Sequence, residues 1–256
     1  YPIGRTTMSV DFGDYRKHYI QQYDADDFEV VLVAARRKQV MNSLKRYPHK
    51  RILEVGCGLE PLFPLVDNFS SYTVVDPVES FIENARKVAS GDKRMQFHVG
   101  CLEDVSCELF GDLDFIVVSS LLHEVEDPIA LLRSISNCCT KNTTIHFNVP
   151  NMFSFHRLLA VEMGLQETTF EQSELERKFQ RTSQFDKQSF LRILRDNGFN
   201  PLNFGTYFIK PFSNSQMSKL IRSKILPPEL VLGLSKLTQY LPEMGVEMFA
   251  DAISVE

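Results

Sequence analysis

Glu54, Gly56, Gly58 and Asp76 are the residues of this chain whose types and spacing point most directly to chemistry. An apolar run, Ile52, Leu53 and Val55, leads straight into Gly56-Cys57-Gly58, and a second run from Thr73 to Val75 ends on Asp76. Glycines at the end of a strand let the backbone take positive φ and approach a ligand closely. An acid about 20 residues further on, ending the next strand, can accept both hydroxyls of a ribose. Together these features describe an α/β domain that seats a nucleoside ligand at the carboxyl ends of its strands. The neighbouring charges narrow the ligand. A dinucleotide fingerprint, Gly-x-Gly-x-x-Gly, keeps fixed negative charge away from the pyrophosphate. Here Pro61 stands at the third glycine position, and Glu54 and Glu60 flank the turn. Two carboxylates repel a pyrophosphate and attract a cation.

The elements that position these residues follow from periodicity. Strands are expected at 51–55, 72–76, 95–99, 113–119 and 143–149, with helices at about 60–68, 78–90 and 127–137 between them. Asp127-Pro128 is a helix start. Strand–helix alternation of this kind implies a parallel sheet with helices on both faces. Residues 14–46 read as a helical cap ahead of the first strand, and 47–150 as the ligand-binding core. Beyond Pro150 come helices at 151–165, 170–181 and 186–197, the last stopped by Gly198. Strands at 203–210 and 247–255 close the sheet as a hairpin pair, with a helical stretch at 214–240 broken by Pro227-Pro228. The expected fold is therefore a Rossmann-like, seven-stranded, mostly parallel α/β sheet in a single domain over 8–256. Two helical insertions, 151–185 and 211–242, decorate it at the substrate side, where lids sit. Tyr1 to Thr7 precede Met8 and read as an added leader outside the fold.

At Glu54, Gly56-Cys57-Gly58 and Asp76 the chain resembles the class I S-adenosylmethionine-dependent methyltransferases. Their first motif is a hydrophobic strand, an acid and x-Gly-x-Gly. The resemblance covers residues 45–150 well and the rest by topology. S-adenosylmethionine carries an ammonium and a sulfonium, so it suits these acids better than NAD does. The resemblance implies that Glu54 contacts the methionine amine through water, that Asp76 binds the ribose, and that Pro77 and Val78 line the adenine. Cys101 occupies the position of an acid that often grips the adenine edge, so that contact is either missing or moved to Glu103, with Leu102 as an apolar wall. Ser119, Ser120 and Leu121, ending the fourth strand, would floor the sulfonium end. S-adenosyl-L-homocysteine is the implied product. The run Tyr207-Phe208-Ile209-Lys210-Pro211-Phe212 with Gln216-Met217 is similar to methyltransferases of bacterial surface-polysaccharide pathways.

Catalytic and acceptor-binding candidates lie at the same edge. His123 follows the fourth strand, and imidazole titrates near neutral pH, as a general base requires. Asn151, His156 and Arg157 mix polar, aromatic and cationic groups that suit a phosphorylated or glycosyl substrate. Lys210 ends a strand near further basic residues. Tyr15, Tyr19 and Tyr23 share one helix face at i, i+4 and i+8, and Tyr15 or Tyr19 could orient an acceptor. Each also has an ordinary structural reading: a satisfied histidine, a helix cap, a solvated face, a packed aromatic stripe. The expected function is methyl transfer to O or N of a small polar acceptor, such as a sugar, sugar nucleotide or phosphorylated amine. No Asn-Pro-Pro-Tyr follows the fourth strand, so base or glutamine methylation of that type is not indicated. The alternatives are an NAD-dependent dehydrogenase and a non-catalytic cofactor-binding module.

The bulk properties agree with this reading. Hydrophobic residues make up 43% of the 256 residues and charged residues 24%, as in ordinary soluble domains. A net charge of −5 lacks the basic footprint that nucleic acid demands. No apolar run approaches the ~20 residues of a membrane span. Five cysteines, an odd number without a Cys-x-x-Cys pair, suggest a reduced cytoplasm and no structural zinc or other metal. A homodimer is compatible with the sequence.

Overall fold

The computed structural model describes residues 28–172 and 183–255. Helix α1 (Phe28–Arg46) precedes strand β1 (Arg51–Val55). The chain continues through β2 (Ser71–Asp76), α2 (Glu79–Ala89), β3 (Met95–Val99), β4 (Phe115–Ser119), α3 (Pro128–Asn137) and β5 (Thr144–Pro150). Then follow α4 (Phe155–Glu162), α5 (Lys187–Asp196), β6 (Phe199–Tyr207), α6 (Asn214–Arg222), α7 (Pro228–Lys236) and β7 (Glu247–Ser254). The strands form one seven-stranded sheet in the order β3-β2-β1-β4-β5-β7-β6. Pairs among β1 to β5 are parallel, while β7 runs antiparallel to both β5 and β6. Central strands β1, β4 and β5 are buried along almost their whole length, as expected of parallel strands covered on both faces. One core lies on each side: Leu53, Ile116, Leu132 and Phe147 on one, Ile52, Tyr72, Phe81 and Phe115 on the other. The strand order reverses between β1 and β4, and that switch point opens the crevice where such sheets bind ligands.

Several expected boundaries move for physical reasons. Residues 60–68 give only a 3₁₀ turn over Phe63–Leu65. Pro61 and Pro64 remove backbone donors that an α-helix would need, and the Leu62 N–H goes to the Glu54 carboxylate instead. The first helix after Pro150 is shorter than expected, Phe155–Glu162. The last strand pair begins earlier, because Gly198 takes φ +82° and turns α5 directly into β6 at Phe199. Pro201 is tolerated there since β6 is an edge strand with a register irregularity between Pro201 and Asn203. The 214–240 stretch is two helices, divided before Pro228. Most of the helix expected at 170–181 lies outside the described residues, as do Tyr15, Tyr19 and Tyr23.

Cys107 and Cys138 form a disulfide, which corrects the expectation of reduced thiols throughout. The pair is separated by 31 residues, so no short motif announces it. The short turn at Cys107 and the carboxyl cap of α3 at Cys138 meet in the folded chain. Cys57, Cys101 and Cys139 remain thiols. No helix among the described residues is long and apolar enough to cross a membrane.

Candidate active site

A cavity of about 1160 Å³ opens at the β1/β4 switch point. Single-ligand pockets run to roughly 1,000 Å³, so this one has room for a cofactor and a second molecule. Its floor is built by β1 running into Gly56, whose φ is +76° and whose N–H donates to the Val75 carbonyl at 2.8 Å. A Cβ on Gly56 would lie 3.3 Å from the Leu121 side chain. The turn after β4 therefore packs onto the glycine turn, and both strand ends form one surface.

Glu54 and Asp76 stand at this surface, and both are buried to about 95%. Glu54 accepts the Leu62 N–H at 3.0 and 3.2 Å and the Tyr72 hydroxyl at 2.9 Å. Burial pushes its pKa up to about 7 against the pull of those bonds and of Arg37. Asp76 accepts the Val78 N–H at 2.9 Å on one oxygen and the Gly58 N–H at 3.2 Å on the other. Burial raises its pKa as well. Each carboxylate oxygen has a second lone pair, so these backbone bonds orient Asp76 toward a ligand without exhausting it. The two acids flanking the glycine turn differ in state. Glu60 pairs with Arg37 at 2.8 Å, and that guanidinium also donates to the carbonyls of Glu60 and Pro61. Charge selection at the turn therefore falls on Glu54 rather than on two bare carboxylates.

Along the side of the cavity, Pro77, Cys101 and Glu103 join Leu102, which is buried. Burial, together with Glu103, Asp104 and Asp76, raises the Cys101 thiol pKa. Cys57 lines the turn itself, its thiol held protonated by burial and by the nearby acids. Ser119, Ser120 and Leu121 line the floor. The opposite end gathers His156, Arg157, Lys210 and Asn151. Lys210 is only 6% exposed and donates to Asn214 Oδ1 at 2.5 Å. Arg157 donates to the Thr169 carbonyl at 2.9 Å. His156 Nδ1 meets Ser154 Oγ at 3.1 Å. Burial, then the charges of Lys210 and Arg157, hold the His156 pKa well below its ordinary value, so the ring is neutral at neutral pH. Asn151 ties the chain together at this end. It donates to the carbonyls of Glu243 and Gly245, both at 2.9 Å, and accepts the Phe153 N–H.

His123 is placed differently from the expectation. It is 2% exposed, its carbonyl accepts the Ser183 N–H, and its ring lies 3.4 Å from Glu124 rather than in the wall of the cavity. The turn that carries Leu121 into the cavity carries Leu122 and His123 beneath it. Conversely, Arg36, Arg37 and Glu247 line the cavity with no expectation from the sequence. Arg36 forks onto Glu247, with Nε–Oε2 at 3.0 Å and Nη2–Oε1 at 2.5 Å. The Tyr207 hydroxyl donates to the same carboxylate. Burial alone would raise the Glu247 pKa; Arg36 overrides it and holds it low. Partners 211 residues apart leave no local signal.

The sequence matches a methyltransferase-domain family over residues 25–203. No curated protein matches it. Similar folds include the N-methyltransferase NodS from Bradyrhizobium japonicum, solved with S-adenosyl-L-homocysteine: 12% identity, TM-score 0.57, covering 95% of this chain and 99% of that one. A plantazolicin methyltransferase, BpumL, also solved with S-adenosylhomocysteine, is 19% identical with a TM-score of 0.55, over 97% and 92% of the two chains. The [4+2]-cyclase SpnF is 14% identical with a TM-score of 0.55, over 86% and 81%. A cyclase among the neighbours shows that the fold alone does not assign the reaction. The family match does so here: the chain belongs to the methyltransferase-domain family, as a class I S-adenosylmethionine-dependent methyltransferase.

Proposed function

We propose that this methyltransferase acts on O or N of a small, anionic polar acceptor, such as a sugar phosphate, sugar nucleotide or phosphorylated amine. The observation that carries the proposal is the stretch of cavity wall where Lys210, which is buried, and Arg157, which is half-buried, stand near a neutral imidazole, His156. The cations suit a phosphate or carboxylate, and the imidazole suits proton removal. At the near end the residues fit the cofactor. Glu54 faces the amine, Asp76 takes the ribose hydroxyls, and Arg37 over the glycine turn meets the carboxylate. Pro77, Cys101, Leu102 and Glu103 flank the adenine, and Ser119 to Leu121 lie under the sulfonium.

Bound S-adenosylmethionine supplies an electrophilic methyl carbon. The chain's main contribution is proximity and orientation, which can be worth ~7–11 kcal/mol. For a hydroxyl acceptor, His156 takes the departing proton on Nε2, Nδ1 being engaged with Ser154. For an amine already neutral, orientation suffices. The described residues of segments 151–185 and 211–242 close over the acceptor as a lid. In this reading the partner is a small molecule rather than nucleic acid.

The test is an acceptor panel of phosphorylated and unphosphorylated sugars and amines. Phosphorylated members should turn over, and Lys210→Met should raise their KM by roughly 10- to 100-fold, the loss of one charged hydrogen bond. His156→Ala should lower kcat by ~10²–10⁴ for a hydroxyl acceptor and leave cofactor affinity intact. Equal turnover of neutral acceptors, unaffected by Lys210→Met, contradicts the anionic reading.

A further inference from the structure

The floor of the cavity is held by a buried polar chain that reaches it from the far side of the sheet. Strand register sets it up. His146 stands opposite Asp251 across the β5/β7 pair, Asn203 opposite Asp251 across β6/β7, and Asn148 opposite Ser119 across β4/β5. His146 and Asn148 are two residues apart and share a face of β5. His146, Asn148 and Asp251 are all fully buried. Asn203 Nδ2 donates to Asp251 Oδ2 at 3.0 Å, and Asp251 Oδ1 lies 2.7 Å from His146 Nδ1. Asn148 Nδ2 lies 3.5 Å from His146 Nε2 and donates to Ser119 Oγ at 2.9 Å. Asn148 Oδ1 accepts the Ser120 N–H at 2.7 Å, and the Asn148 backbone carbonyl shares that N–H at 3.2 Å.

Every direction in this chain is determined. The Ser120 N–H can only donate, so Asn148 must present its oxygen there and its amino group to Ser119 and His146. Asp251 is ionised: burial alone would raise its pKa, but the bonds from His146 and Asn203 hold it low. A carboxylate only accepts, so His146 carries its proton on Nδ1 and offers Nε2 as the acceptor that Asn148 requires. The residue at the end of the chain needs such a hold. Ser120 sits at φ +58°, a left-handed conformation that a residue with a Cβ adopts only at a cost. Ser120 leads into Leu121, whose side chain packs on Gly56.

We propose that Asn148, oriented by the His146–Asp251 pair, is a positioning residue that holds Ser120 in its left-handed conformation and so fixes the cavity floor for the cofactor. It touches no reactant itself; it acts through Ser120 and Leu121. Neither the acceptor class nor the base enters this inference, which needs only the cofactor cavity.

The test is calorimetric titration of S-adenosylhomocysteine into the wild type, Asn148→Ala, Ser120→Gly and the double variant. Asn148→Ala should weaken binding at least tenfold. In the Ser120→Gly background the same Asn148 substitution should cost much less affinity than in the wild type, because glycine takes positive φ without a Cβ penalty. In the double variant glycine should restore most of the lost affinity, while the unfolding temperature stays at the Asn148→Ala value. Unchanged binding by Asn148→Ala overturns the proposal, as does a double variant that binds no better than Asn148→Ala. Should Asn148→Ala fail to fold, ¹⁵N NMR of the wild type decides: a His146 proton on Nδ1 supports the chain, and a proton on Nε2 overturns it.

Discussion

Glu54 gives the most quantitative prediction. Its carboxyl pKa is pushed up to about 7, against an ordinary value of 4.5, and burial is the main cause. A ligand ammonium placed beside it favours the ionised form. Cofactor binding should therefore pull the pKa back toward 4.5 and release a proton wherever Glu54 was still protonated. The affinity for S-adenosylhomocysteine should rise with pH as Glu54 ionises, by about 25-fold between pH 5.5 and 7.5, and level off above. The full coupling between the two pKa values corresponds to about 3 kcal/mol. The same shift has the opposite sign for folding. The native state binds the proton more tightly than the unfolded chain, so ionisation costs the fold stability as pH rises from about 4.5 to 7. Calorimetry across this range, in buffers of different ionisation enthalpy, reads affinity and proton release together. Glu54→Gln removes the titration: its affinity should be nearly flat with pH and, at pH 7.5, roughly 10- to 100-fold below wild type, the loss of one charged hydrogen bond. A flat wild-type profile, or a Glu54→Gln profile that climbs in parallel, would refute the reasoning.

Asp76→Ala should weaken S-adenosylhomocysteine by about 1.5–3 kcal/mol per charged hydrogen bond lost; calorimetry showing unchanged affinity would reduce Asp76 to a brace for the Gly58 and Val78 N–H groups. Glu247→Gln leaves the largely buried Arg36 guanidinium with only Glu29, at 3.9 Å, as counter-charge and should cost up to about 3–5 kcal/mol in urea unfolding at pH 7. Glu247 has a lowered pKa in the fold, so its contribution is present above about pH 4.5 and lost as pH falls through the folded value. The variant and wild-type unfolding midpoints should therefore converge in acid, and a constant gap would contradict the ion-pair account.

The sheet and the meeting of Glu54, Gly56, Gly58 and Asp76 in one cavity were legible because their signals are local. Ile52 to Gly58 and Thr73 to Asp76 each write a buried strand and its terminal turn or acid within a few residues, and the register of β1 beside β2 brings them together. The rest of the cavity wall depends on contacts that no spacing reveals. His123 and His156 look alike in sequence, each an imidazole just past a strand. Only the path of the chain separates them, burying one behind Glu124 and aiming the other into the cavity beside Lys210. The Arg36–Glu247 pair, the Asp251–His146–Asn148 chain and the Cys107–Cys138 disulfide join residues from separate elements. The misjudged helix at 60–68 was a local failure, since two prolines and a competing carboxylate outweighed its apolar spacing.

Direct titration with S-adenosylhomocysteine and with NAD tests the central claim, that Glu54, the Gly56-Cys57-Gly58 turn and Asp76 form the seat of a methyl-donor cofactor. The account predicts one equivalent of S-adenosylhomocysteine bound with micromolar affinity at pH 7.5, and NAD bound far more weakly. Binding of NAD with equal or greater affinity would contradict it.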